Sequence, residues 1–141
     1  MVKIFLMIGC LTLSLSAAEA VAFVKSIQGE SSLKRENDLR PLQKGEKLYP
    51  HDVIQTAQKS TVGISFNDGT RIALGSKSTF SIDEYLFEPA ANKFRLNVSL
   101  NKGSAVFESG KIGKLAPEKV SFKVPQGIVG IRGTKFLVEA E

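Results

Sequence analysis

Apolar and polar side chains alternate over short segments along most of this chain. Every second position of residues 94–100 is apolar, at Phe94, Leu96, Val98 and Leu100. Because successive side chains of a β-strand point to opposite faces, this spacing predicts a strand with one buried face and one face in water. Residues 62–66 and 120–124 show the same alternation, and few windows have a helical period. The chain is therefore predicted to be all-β.

The alternating segments end at Gly, Asn, Asp or Pro. The clearest hairpin joins residues 60–66 to residues 70–74 through Asn67-Asp68-Gly69, which tolerate positive φ at low cost. Turns are also expected at Gly45, residues 89–92 and residues 101–103, and a polar loop at residues 34–38. Many short strands at near-regular spacing predict one domain, built as a jelly-roll-like sandwich or a β-helical roll.

The first twenty residues have the order of a secretory signal peptide. Lys3 precedes an apolar stretch at residues 4–15, and Ala18-Glu19-Ala20 reads as a cleavage site. The stretch is shorter than the ~20 apolar residues of a membrane-spanning helix. We expect cleavage after Ala20, a domain at residues 21–141, and a periplasmic or secreted protein with no stable membrane span. An uncleaved anchor and a buried amino-terminal strand are the alternatives.

Cys10 allows a second interpretation of this leader. Met7-Ile8-Gly9-Cys10 resembles a bacterial lipoprotein box, but the apolar stretch continues past Cys10. A cysteine inside a discarded leader is the favoured interpretation. The exported chain would then keep no cysteine, and so no disulfide and no thiolate metal site. The roughly 120 remaining residues are enough to bury a core without such links.

The basic balance of the chain does not mark a nucleic-acid protein. Nineteen Lys and Arg residues stand against fourteen Asp and Glu, but the two signs are interleaved. The longest basic pair, Lys34-Arg35, is followed at once by Glu36. This pattern is typical of solvated strand faces and turns. We therefore expect no nucleic-acid partner. The export signal and the strand pattern instead favour a protein partner in the cell envelope.

No set of residues predicts an enzyme, a metal site or a cofactor site. His51 is the only histidine, and its neighbour Asp52 would point to the opposite face of a strand. Asp68 has no spaced carboxylate partners of the kind that a calcium loop needs. Nothing marks an acid and base couple among the carboxylates of one segment, which are predicted to be its wet face: Asp83, Glu84 and Glu88.

Residues 127–135 superficially suggest a phosphate-binding loop. Five residues separate Gly127 from Gly133, and Thr134 precedes Lys135 instead of following it. The glycines are interpreted as sites of tight turning or close packing. Arg132, which lies among them, is predicted to bond carbonyls or a carboxylate within the fold. No catalytic, cofactor-binding or metal-binding residue is predicted.

The order of several weak motifs resembles the FecR domain family. They are residues 52–56 (DVIQT), 66–74 (FNDGTRIAL), 101–107 (NKGSAVF), 122–125 (FKVP) and 130–136 (GIRGTKF). The resemblance covers residues 24–138. It departs from the family pattern at His51, where the family more often has Gly.

The resemblance implies a periplasmic all-β domain that works through protein contacts. Well-known members also have a cytoplasmic segment, a membrane helix and a second periplasmic domain, which we do not expect here. A signalling role in metal or siderophore uptake therefore follows only by analogy. Binding of a partner strand at an exposed sheet edge is one expected mechanism. Binding of an envelope polysaccharide or peptidoglycan is the alternative, since a basic protein suits anionic glycans.

Overall fold

The computed structural model describes residues 19–131 and 134–140. Most of the predicted leader, including Cys10, lies outside these residues, as do Arg132 and Gly133. In the described part, no helix has the length and apolar character needed to cross a membrane.

Strands account for most of the described chain, which confirms the all-β prediction. A single α-helix of five residues, α1 (Lys111–Leu115), and 3-10 turns at Pro89–Ala91 and Pro117–Lys119 interrupt the strands of this part. The strands are β1 (Ala22–Gln28), β2 (Ser31–Arg35), β3 (Asp38–Pro41), β4 (Lys47–Leu48), β5 (Val53–Thr56), β6 (Thr61–Phe66), β7 (Arg71–Leu74), β8 (Thr79–Glu88), β9 (Lys93–Glu108), β10 (Val120–Val124), β11 (Gly127–Val129) and β12 (Lys135–Ala140).

Strand β9 belongs to two curled sheets. Its first half pairs with β8 and β10 in sheet B, whose order is β3-β2-β5-β8-β9-β10-β11. Its second half pairs with β7 and β12 in sheet A, whose order is β4-β1-β6-β7-β9-β12. Among the described strands only β9 and β10 are parallel. Antiparallel pairing favours the sandwich over the β-helical roll, which stacks parallel strands.

The inner faces of the two sheets meet in one apolar core. Phe107 of sheet A packs edge-on against Phe122 of sheet B, with 6.1 Å between ring centroids. Phe66 of sheet A stacks on Tyr85 of sheet B at 5.5 Å. Each such pair adds about 0.5–1.5 kcal/mol beyond the apolar area that it buries. The sheets therefore stabilise each other as a single unit.

The strongest sequence patterns have the predicted structure. Residues 60–66 and 70–74 form the hairpin of β6 and β7, with Val62, Ile64 and Phe66 buried. In residues 94–100, Leu96, Val98 and Leu100 are buried, and Phe94 is half-buried beside the turn at Pro89–Ala91. The alternation of apolar and polar residues predicted these strands correctly, because one face of each strand is buried in the core.

The turn predicted at residues 101–103 is wrong. Strand β9 runs through it without reversing, and the pairing passes from β8 at Lys102 to β12 at Gly103. Gly103 has a φ of +92°, and an added Cβ would lie 2.5 Å from the Cα of Ser78. The glycine serves a close approach between strands where β9 moves from one sheet to the other.

The polar loop predicted at residues 34–38 is also shorter than expected. Lys34 and Arg35 end β2, Asp38 begins β3, and only Glu36 and Asn37 make the turn. All four residues of β3 are exposed. A strand whose two faces are in water lacks the alternation that identifies the others.

Candidate interaction surface

The outward face of sheet A has one row of small and apolar side chains. The strand register aligns them from β1 to β12, and we call them the small-residue row: Ser26, Gly63, Ala73, Val106 and Leu137. An added Cβ at Gly63 would lie 2.5 Å from the Oγ of Ser26 but 3.7 Å from its Cβ, so it would meet only the hydroxyl of this side chain closely. The outer face of an antiparallel sheet is ordinarily polar. An apolar row across it is a candidate contact surface.

Basic side chains border this row. Arg71, Glu108 and Lys135 lie side by side in the neighbouring row of the sheet. Together with Lys25 they surround a shallow depression of about 200 Å³ above Gly63 and Ala73. Within the described residues, none of these three basic groups has a carboxylate oxygen within 4.0 Å. The depression therefore has an apolar floor and a rim of net positive charge, formed by three basic groups and one carboxylate.

The sheets have four free edges, and they differ in protection. β4 has two residues, β11 has three, and β3 is charged and ends at Pro41. β12 has six residues without Pro or Gly; it carries one charge of each sign, at Lys135 and Glu139, and Leu137 between them is 60% exposed. Natural edges are usually short, charged, bulged or covered. Of the described edges, β12 is the most open to another strand.

The backbone of β12 presents alternate peptide groups to this edge. The N–H of Ser109 donates to the carbonyl of Thr134 at 2.7 Å, which makes these residues a hydrogen-bonded pair. Pairs alternate along an antiparallel ladder, so Phe136 and Val138 direct their peptide groups toward β9. Lys135, Leu137 and Glu139 direct theirs to the free edge. Their side chains lie on the outward face of the same sheet.

His51 and Asp52 do not form a site together. His51 is exposed with a φ of 76°. Asp52 is buried and accepts hydrogen bonds from the guanidinium of Arg35 at 2.9 Å and from the N–H of Tyr49 at 2.8 Å. The hydrogen bond to Asp52 raises the pKa of Arg35, and the guanidinium lies 4.8 Å from the ring centroid of Tyr49. This cluster fixes β2 against the loop before β5.

Asp68 lies in the predicted turn, but it is only 2% exposed. Its carboxylate accepts hydrogen bonds from the hydroxyl of Thr70 at 2.7 Å, the N–H of Ile112 at 3.0 Å and the hydroxyl of Tyr85 at 3.1 Å. Burial, and then the charge of Asp68, raise the pKa of Tyr85. Asp68 thereby joins the β6–β7 turn to β8 and to the start of α1.

The three carboxylates of β8 have different partners. Asp83 accepts hydrogen bonds from Ser81 and Ser99, and Glu84 pairs with Arg95 at 2.9 Å. That hydrogen bond lowers the pKa of Glu84, whereas a general acid at neutral pH needs a raised one. Glu88 lies opposite Lys93 in the β8–β9 ladder.

The glycine-spaced segment begins as a strand. Gly127 lies in β11, which pairs with β10, and Gly130 follows this strand. The predicted internal bonding of Arg132 falls outside the described residues.

A groove of about 810 Å³ lies beside β2, β3 and β5. Polar groups of Glu30, Ser32 and Gln55 line it together with Leu39. The Oγ of Ser31, also at this groove, is buried and has no hydrogen-bond partner among the described residues.

The small-residue row was not predicted from the sequence. The sequence does contain a signal for this row. In strands where apolar and polar residues alternate, the outward positions of Gly63, Ala73 and Val106 would ordinarily be polar. The alignment of these positions depends on the pairing of strands far apart in the chain, and the sequence does not state that pairing.

Comparison with known protein families gives one match. A family model described as FecR protein matches residues 52–141, which is more than half of the chain. A search of curated proteins and a search of solved structures each found no match.

Proposed function

The chain belongs to the FecR protein family, and we propose that it is a non-catalytic module, exported to the cell envelope, that works there by binding another protein. FecR domains are generally regulatory or signalling domains and not enzymes. Binding is the common physical basis of such roles.

The observation that supports this proposal best is the outward face of sheet A. Covering an apolar row is favourable because it removes apolar surface from water, whereas covering a polar row would cost its hydrogen bonds to water. The rim has three basic groups, Lys25, Arg71 and Lys135, and one carboxylate, Glu108, and its net positive charge favours a partner with acidic side chains beside an apolar segment. We therefore propose that an acidic, partly apolar protein surface docks on this face.

A site-specific photo-cross-linker tests the docking face in living cells. Placed at Ala73 it is expected to give one reproducible adduct, and the cross-linked peptide of the partner should contain Asp or Glu beside apolar residues. Placed at Lys44, an exposed loop residue that does not line the depression, it should not. Absence of an adduct at Ala73, or equal adducts at both positions, would contradict the proposal.

Charge reversal provides the matched control for this experiment. Arg71→Glu and Lys44→Glu change the net charge equally, but only Arg71 borders the depression. We expect the Ala73 adduct to fall at least about tenfold in the Arg71→Glu background, which corresponds to about 1.4 kcal/mol. It should be unchanged in the Lys44→Glu background. An equal loss in both would assign the effect to net charge alone.

Export is a separate part of the proposal. Val21, the first residue after the predicted cleavage site, is buried, and its nitrogen donates to the carbonyl of Leu48 at 2.9 Å. Intact mass of the protein from a periplasmic extract should correspond to a chain that starts at Val21. A chain that keeps Met1 in the cytoplasm would contradict export, and added lipid mass on Cys10 would support the lipoprotein alternative.

Glycan binding is the second candidate function, and the polar groove beside β2, β3 and β5 favours it. A ligand hydroxyl would give the buried Oγ of Ser31 a partner. Titration with soluble peptidoglycan fragments should then give saturable binding that Gln55→Ala weakens. Unchanged binding in that variant would remove the groove from consideration.

A further inference from the structure

The free edge of β12 is complementary to itself. Lys135 and Glu139 lie two residues before and two residues after Leu137, and all three residues present peptide groups at the edge. We infer that two copies of this chain pair through β12, antiparallel, about a two-fold axis at Leu137. This pairing goes beyond the proposed function and does not depend on it.

Charge selects this register over its neighbours. With the axis at Leu137, Lys135 of each copy lies opposite Glu139 of the other, and Leu137 lies opposite Leu137. Directly opposite residues have Cβ atoms about 4.5–5.5 Å apart, within reach of an ion pair. Moving the axis by one residue places a charged side chain opposite Leu137. Moving it by two places Lys135 opposite Lys135, or Glu139 opposite Glu139.

The backbone fits the same register. The three residues with free peptide groups would form three hydrogen-bonded pairs, about six inter-chain hydrogen bonds in all. On the inner face, Phe136 of one copy would lie opposite Val138 of the other, beside the stacked rings of Phe107 and Phe136 at 5.0 Å. On the outer face, the exposed side chain of Leu137 would be covered.

Pairing would make sheet A continuous across two copies. The small-residue row ends at Leu137, so it would continue into the row of the second copy. Arg71 and Lys25 are not part of the edge and would stay at the rim of each depression. The docking face would be doubled and not blocked.

Charge-swap variants test the pairing. The protein is produced from the full chain, and its mass is measured by sedimentation equilibrium over a concentration series. Wild type is expected to be a dimer at the upper end of the series. Lys135→Glu and Glu139→Lys each place like charges opposite each other twice, and each should raise the dimer Kd at least about tenfold, or about 1.4 kcal/mol.

Two further measurements are decisive: mixing the two single variants, and combining both substitutions in one chain. An equimolar mixture of the two single variants should form a heterodimer, because every facing pair is then opposite in charge. The double swap Lys135→Glu/Glu139→Lys should restore the wild-type Kd to within about threefold. Lys44→Glu, an exposed change away from the edge, should leave the Kd unchanged. Far-ultraviolet circular dichroism checks that every variant is folded.

Two results would overturn the inference. The first is a wild-type chain that stays monomeric throughout the series. The second is a pair of single variants that form no heterodimer when mixed, together with a double swap whose dimer Kd stays raised. A different protein cross-linked at Leu137 to a monomeric chain would assign the edge to another partner. The Ala73 adduct reports the proposed function separately. Its persistence in a monomeric chain would leave that function intact, and its loss in a dimeric chain would leave the pairing intact.

Discussion

Asp68 shows how one buried carboxylate can hold three elements together. In the sequence it belongs to an ordinary Asn-Asp-Gly turn, and the turn was predictable for that reason. Its contacts with Tyr85 and Ile112 were not predictable, because they join residues 17 and 44 positions away. A buried carboxylate is tolerated only when donors surround it.

Replacing Asp68 should destabilise the fold strongly. Asp68→Ala leaves the hydroxyl of Thr70 and the N–H of Ile112 without an acceptor, at about 1–3 kcal/mol for each buried group. We expect the free energy of unfolding in urea to fall by roughly 3 kcal/mol. Asp38→Asn, an exposed change in β3, should stay within about 0.5 kcal/mol. Equal effects would show that the Asp68 hydrogen bonds contribute little.

Tyr85 should make the fold sensitive to alkaline pH. Its pKa is raised in the folded state by burial and by Asp68, whereas an unfolded tyrosine titrates near pH ~10. The folded chain therefore keeps a proton that the unfolded chain loses. Stability from this group is complete below pH ~10 and falls above it, by up to about 1.4 kcal/mol per pH unit.

The measurement is the urea midpoint of wild type and Tyr85→Phe from pH 8 upward. Lysine titration is common to both proteins, so the difference between the curves isolates Tyr85. The wild-type midpoint should decline more steeply above pH ~10. Parallel curves would contradict the raised pKa.

At the scale of elements, a glycine in β9 marks the point where the strand changes sheets. Gly103 and Gly45 both have positive φ, +92° and +85°, but only Gly103 is crowded by a neighbouring backbone. Both glycines were interpreted as turns. This was correct for Gly45 and wrong for Gly103, because a sequence does not distinguish a glycine that reverses the chain from one that makes room for another strand.

The two glycines give a matched pair of substitutions. Gly45→Ala should cost only the strain of positive φ, about 1–2 kcal/mol. Gly103→Ala adds a clash with the Cα of Ser78 and should cost roughly 3 kcal/mol or more. Urea unfolding of both variants checks this order. A Gly103→Ala variant as stable as Gly45→Ala would mean that β9 can shift away from Ser78.

The positions of the strands could be predicted from the sequence more fully than the pairing between them. The strands with a dry face, such as β6, β7 and β10, follow from alternation alone. The exposed strand β3 has no alternation and was not predicted; only its first residue, Asp38, fell within the loop expected at residues 34–38. The candidate surface was missed for a related reason, since it depends on which strands are neighbours.

At the scale of the whole molecule, the two sheets should unfold together. Phe107 touches Phe122 across the core and also stacks on Phe136, so it contributes to both sheets. Phe107→Ala is expected to lower the free energy of unfolding by about 3–5 kcal/mol. Tyrosine fluorescence and far-ultraviolet circular dichroism should give one coincident transition in wild type and variant. Separate transitions would show that the sheets are independent.

Strand β9 also determines how deuterium should enter the molecule. Residues 96–99 have β8 on one side and β10 on the other, and residues 105–108 have β7 and β12. An amide enclosed in this way exchanges with heavy water only when the entire fold opens, whereas amides of β3 and β11 can exchange through local fraying. The slowest-exchanging amides of the protein should therefore cluster in this one strand and report its global stability directly.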